Sequence, residues 1–243
     1  MSDWFNEQHG DPFIAFGTSH MTMLVIYFVG LMLLLLTYKK IKNNNGLYNI
    51  LRWLLFAILV LSEISYQIYT ITNGIWSLRE HIPLHLCGIA SITGAIALVT
   101  HNKALINLTF FIGFIPAFAA LVTPELPYDF PHFRFWKFFL HHTAISWVSI
   151  FLLLTSSVKV TLKSTLRAYG LLLIYAAFIG FVVNPWLGSN YLYLSATPTA
   201  STPLDLLGNG IWYYVNLCLL GLVVFLGLFG VSRIFKRLEK RKG

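Results

Sequence analysis

Apolar runs of about twenty residues, each ended by a short charged or Gly/Pro/Asn-rich break, recur along the whole chain. A run of that length is what one α-helix needs to cross the ~30 Å hydrocarbon layer of a bilayer. The runs fall at His20–Tyr38, Leu47–Thr72, Ile82–Thr100, Ala104–Val122, Phe133–Thr155, Leu166–Val183 and Leu206–Phe235. They predict an all-α polytopic membrane protein with seven transmembrane helices. Residues 1–243 then form one transmembrane domain, with 1–19 along the outer interface and 236–243 as a basic cytoplasmic tail. Composition agrees, because only 11% of the 243 residues are charged and 57% are hydrophobic. Mean hydropathy is +0.70. A soluble domain carries roughly 25% charged residues, so little of the chain is left to build one.

The 17 Lys and Arg residues give orientation. Lys39, Lys40, Lys42, Arg52, Lys103, Lys159, Lys163, Arg167 and the tail cluster flank one side of the spans. Only Arg79, Arg134 and Lys137 flank the other. The positive-inside rule makes the first side cytoplasmic, with the N-terminus outside and the C-terminus in the cytoplasm. The net charge of +8 is therefore a topology and lipid-headgroup signal rather than a nucleic-acid footprint. The two cysteines, Cys87 and Cys218, both fall inside apolar runs, so neither a disulfide framework nor a zinc site is expected. The stretch before the first run holds Asp3, Glu7 and Asp11 but no Lys or Arg, the reverse of a cleavable signal peptide.

Ionisable side chains at membrane depth are costly and point to function. Glu63, Tyr66, Gln67 and Thr70 form one stripe on the second helix. His85 and Cys87 fall in the outer third of the third, and His141 and His142 eight or nine residues into the fifth. Asn184 closes the sixth, followed by Asn190, Tyr191 and Tyr193. All lie in the outer half, which predicts one polar cavity opening outward or into the outer leaflet. The competing explanation is that each group merely bonds to a neighbouring helix.

Cysteine and histidine make a nucleophile–base pair when sulfur and imidazole meet. On one continuous helix His85 and Cys87 would diverge by ~200°, so the base is expected from the fifth helix. His142 shares a face with Ser146 and Ser149, which suits the bundle interior. His141 shares one with Lys137, Ile145 and Val148, which reads as closer to lipid. His142 is therefore preferred, with His85 supporting the site or stabilising an oxyanion. A metal site from His81, His85, His141 and His142 ranks below this reading, and no cofactor is expected.

Pro83-Leu84-His85-Leu86-Cys87, Phe138-Phe139-Leu140-His141-His142 and Asn190-Tyr191-Leu192-Tyr193-Leu194 together resemble the YwaF family of bacterial integral membrane proteins. The resemblance covers nearly the whole chain, and His-x-Cys is its most specific element. That family is similar to an animal multi-pass phospholipid acyltransferase thought to use a cysteine acyl-thioester and a histidine. The resemblance implies Cys87 as nucleophile, a histidine of the fifth helix as base, and residence in a bacterial plasma membrane. His141 and His142 both stay open for that base.

The leading expectation is thus an acyltransferase or lipid hydrolase working on phospholipid-type esters, with phospholipids or lysolipids as partners. Glu63, Tyr66, Gln67, Asn184, Asn190 and Tyr191 are the expected substrate-binding residues. The alternative is a small-solute transporter or a receptor. A retinal protein is excluded by the absence of a lysine within the last span, and Gly-x-Ser-Gly and His-Glu-x-x-His protease signatures are missing.

Overall fold

The computed structural model describes residues 3–7, 10–197 and 202–241. Met1, Ser2, Gln8 and His9 of the expected interfacial segment, and Lys242 and Gly243 of the expected tail, lie outside the described residues. Seven main helices carry the rest: α1 (Thr18–Asn43), α2 (Asn45–Thr72), α3 (Leu86–Thr100), α4 (Lys103–Val122), α5 (Phe133–Thr155), α6 (Leu162–Leu187) and α7 (Ile211–Arg241). Six are long and apolar enough to cross a membrane, and α3 is a shorter apolar helix of 15 residues. The protein is a multi-pass membrane protein.

Polar caps set many of the ends. Asn44 accepts from the Leu47 amide at 3.0 Å, which separates α1 from α2 by a single residue. Asn102 accepts from Ala104 and Leu105 to start α4. Thr161 and Ser164 form a capping box that starts α6 four residues before the expected Leu166. At its other end α6 passes Val183, because a π turn at Ile179–Val183 loosens the hydrogen-bond ladder where Pro185 would otherwise break it. α7 begins at Ile211 rather than Leu206. Residues Pro203–Leu207 form a 3-10 turn instead, and Gly208 and Gly210 follow it with positive φ.

The largest departure is in the third span, where helix begins at Leu86 and not at Ile82. Pro83 disfavours helical geometry at Ile82, and His85 is extended (φ −65°, ψ 158°). The chain doubles back here so tightly that a Cβ on Gly88 would lie 2.4 Å from the Pro83 carbonyl oxygen. Only glycine fits. Exposed backbone at membrane depth is not tolerated unless protein covers it, and here it is covered. Tyr175 of α6 donates to the Leu84 carbonyl (2.7 Å), and Gln67 of α2 donates to that of His81 (2.8 Å).

α5 is the central helix, packed against α1, α2, α3 and α4. Its contact with α4 is close, because Gly113 faces Ser149 Oγ, which a Cβ would approach to 2.4 Å. Tyr27 of α1 and Ser146 of α5 share a buried hydrogen bond of 2.8 Å. The outer helices turn apolar side chains outward instead, among them Leu36, Ile50, Ile174 and Phe181. Such a surface suits lipid and not water.

Residues 3–7 and 10–16 form a strap across the end of the bundle where α1 and α5 begin, the strap end. Asp129 donates its amide to the Asp11 carbonyl (2.8 Å) and Phe13 its amide to that of Pro127 (3.3 Å). His132, the N-cap of α5, accepts from the Arg134 amide through Nδ1 (3.1 Å). Its Nε2 donates to the Asn6 carbonyl (3.2 Å). That pattern requires the neutral imidazole with its proton on Nε2.

Candidate functional site

The late start of α3 reshapes the site. His85 is the N-cap residue, and Cys87 occupies the second helical position. The two are therefore not partners on one helix, and the ~200° divergence expected of them does not apply. Nor do His81 and His85 share a helical face. His81 instead accepts from the Ser77 amide through Nδ1 (3.1 Å). Among the described residues no three His, Cys, Asp or Glu side chains converge as a metal site.

His85 lies between two tyrosines, with ring centroids 5.1 Å from Tyr191 and 5.2 Å from Tyr193. Among the described residues its imidazole makes no hydrogen bond. Leu192 and Tyr193 both take left-handed backbone conformations (φ 60° and 55°), which is costly for non-glycine residues. Asn184 sustains that geometry. Its side-chain amide donates to the Tyr191 carbonyl (3.0 Å), while its oxygen accepts from the Tyr191 amide and the Ser189 hydroxyl. Asn190 binds the Ser195 and Ala196 amides in the same loop. Tyr191 is fully buried, and its hydroxyl joins the Leu78 carbonyl to the Ile82 amide. Asn184, Asn190 and Tyr191 thus fasten this loop to the extended segment before α3. Tyr193 donates to Glu125 at 2.5 Å. Burial, reinforced by that carboxylate, pushes the Tyr193 phenol well above the ordinary tyrosine range.

On α2, Gln67 donates to Glu63 (2.8 Å) and accepts from the Trp76 indole (2.7 Å). Tyr66 carries a cation over its ring, the Lys137 ammonium, at 4.2 Å from the centroid. Lys137 lies one turn before His141 on α5. Sequence reading placed Lys137 on a lipid-facing side; it counted Tyr193 in the outer polar group without giving it a role, and it gave Glu125 none.

That reading of the α5 faces is corrected for His141 as well. His141 is buried and lies 2.5 Å from Ser62 Oγ, while Ile145 and Val148 on its face belong to the core. His142 is only partly buried. Its Nδ1 donates to the Phe138 carbonyl (2.8 Å), which leaves Nε2 with the lone pair a general base needs. Among the described residues neither imidazole hydrogen-bonds to Cys87. A cavity of ≈ 790 Å³ opens at the strap end between the strap, α1 and α5, but none of the candidate residues lines it.

The family profile of the TMEM164 family matches residues 15–229, nearly the whole bundle from the start of α1 into α7. The chain belongs to the TMEM164 family. An uncharacterized protein of Treponema pallidum (strain Nichols) is 30% identical over 123 residues, which is 50% of each chain. The chain therefore spans about half the length of that curated relative. No solved structure matches. The family match covers α3, α5 and the loop before α7, so Cys87, His141, His142 and Tyr191 all lie within the matched residues.

Proposed function

We propose that this TMEM164 family member transfers acyl groups between membrane lipids through a Cys87 thioester, from the outer side of a bacterial plasma membrane. The observation that carries the reading is the position of Cys87. It occupies the first turn of a helix whose positive dipole end faces the strap end. A thiolate formed there would have that dipole end as its counter-charge. The resemblance to a cysteine-dependent phospholipid acyltransferase supplies the substrate class.

In the first step the sulfur attacks the carbonyl of an acyl ester. The C–O bond breaks, the thiol proton goes to a histidine of α5, and that histidine protonates the departing lysolipid alkoxide. In the second step a lysolipid hydroxyl, or water, gives its proton to the same base and attacks the thioester. The C–S bond breaks and the thiolate returns. His142 suits the base role through its open Nε2. His85, held between the Tyr191 and Tyr193 rings, suits support of the developing oxyanion, and Glu63, Tyr66 and Gln67 are assigned to substrate binding.

The test incubates purified protein with a phospholipid labelled in its acyl chain and follows a thioester adduct by mass spectrometry. The adduct is expected on Cys87 and absent from Cys87→Ala. Full lipid turnover by Cys87→Ala refutes the nucleophile assignment. Solute uptake into proteoliposomes that survives the same substitution would favour a transporter.

A further inference from the structure

We propose that Arg134 and Tyr69 form a binding site for a phosphate group, and that Glu7 of the strap occupies it in place of the ligand. Arg134 is the second residue of α5 and Tyr69 lies near the end of α2, so two helices supply the donors. Both donors converge on one carboxylate. Arg134 Nη1 donates to Glu7 Oε1 at 2.7 Å, and the Tyr69 hydroxyl donates to Glu7 Oε2. Among the described residues this is the single ion pair between side chains.

The carboxylate does not come from the helices that build the site. It comes from the strap, more than sixty residues away in sequence from either donor. The strap backbone has its own anchors around Glu7, where the Tyr128 hydroxyl donates to the Glu7 carbonyl and His132 holds that of Asn6. The side chain can therefore leave without the strap unfolding. Its side chain is 23% exposed and that of Arg134 is 22% exposed, so both charged groups can be reached from solvent. A phosphate matches the guanidinium fork with two oxygens and offers the Tyr69 hydroxyl a third. Arg134 also lies 5.7 Å from the Tyr66 ring that Lys137 covers, so a second cation stands one turn deeper. The chemistry fits a lipid headgroup phosphate or a free phosphate, and the site does not depend on the acyl-transfer reading.

The experiment is calorimetric titration of full-length Cys87→Ala protein in maltoside micelles, which contain no phosphate and allow no turnover at Cys87. The probes are inorganic phosphate and dihexanoyl phosphatidic acid. Glu7→Gln keeps an acceptor for Tyr69 but removes the competing charge, and is expected to bind phosphate about fivefold more tightly. Arg134→Gln is expected to weaken binding about tenfold or more, and Tyr69→Phe about threefold. Preference for phosphatidic acid over inorganic phosphate identifies the headgroup as source, and equal affinity identifies free phosphate. A purely structural ion pair predicts that Glu7→Gln melts earlier without binding phosphate more tightly, and that result overturns the proposal. So does a Glu7→Gln/Tyr69→Phe double variant that binds phosphate as tightly as Glu7→Gln alone, a comparison that tests the site even where Arg134→Gln fails to fold. Loss of the acyl adduct assay leaves these outcomes untouched, because they read binding alone.

Discussion

Gly88 lies directly against the Pro83 carbonyl, with no room between them for a Cβ. The contact holds the turn that lets α3 start at Leu86 and fixes Cys87 in its first turn. Gly88→Ala must push the carbonyl aside, and overpacking of this kind costs about 1–3 kcal/mol. The expected outcome is a lowered melting temperature together with a changed alkylation rate at Cys87. Wild-type values for both would show that the turn does not set the position of the thiol.

His142 and His141 differ in what their second nitrogen can do. His142→Gln is expected to slow adduct formation about 10²- to 10⁴-fold, the usual contribution of a general base. His141→Gln should act mainly through the lost contact with Ser62, and Ser62→Ala should reproduce most of its effect. Rates of Cys87 acylation in the three variants decide between them. A larger loss in His141→Gln than in His142→Gln would transfer the base role.

Burial draws the His132 imidazole below the ordinary histidine range, against the opposing pull of its Asn6 hydrogen bond and of Glu7. The folded state therefore prefers neutral His132. Its contribution to stability is complete above the unfolded value of about 6.5 and is lost as pH falls from there through the lowered folded value. Protonation of Nδ1 also removes the acceptor that caps α5. Melting temperature should thus fall between pH 7 and pH 5. His132→Asn keeps a capping acceptor without a titrating group, and should flatten that slope. His132→Ala should cost about 1 kcal/mol at pH 8.

The Tyr27–Ser146 hydrogen bond crosses the lipid-buried interface of α1 and α5. Interhelical bonds of this kind average about 0.6 kcal/mol in double-mutant cycles. Tyr27→Phe and Ser146→Ala should each destabilise by about that amount, and the double variant by little more than either. Additive losses in denaturant titrations would mean that the two side chains act separately.

Much of the helical layout was legible in sequence. α5 was placed at both ends, because Pro131 and His132 stop the preceding loop and Ser156 closes the helix. α3 was misplaced because Ile82, Pro83 and Leu84 extend an apolar run. Hydropathy cannot separate buried extended chain from buried helix. The faces of α5 were misread for a related reason. In a membrane the lipid side and the core side are equally apolar, so Ile145 and Val148 beside His141 gave no warning that this face is internal. A cation one turn before His141 was the available signal, since Lys137 would not be held at that depth without a partner such as the Tyr66 ring. The Glu7–Arg134 pair had no signal at all, with 127 residues between its members.

At ~1.5 Å per residue, the 15 residues of α3 span only about 22 Å, against the ~30 Å of a typical hydrocarbon layer. The extended residues 82–85 make up the missing length at the strap end, held there by Tyr191 and Tyr175. A thicker or thinner bilayer should therefore bear on this end of α3 more than on the longer helices around it.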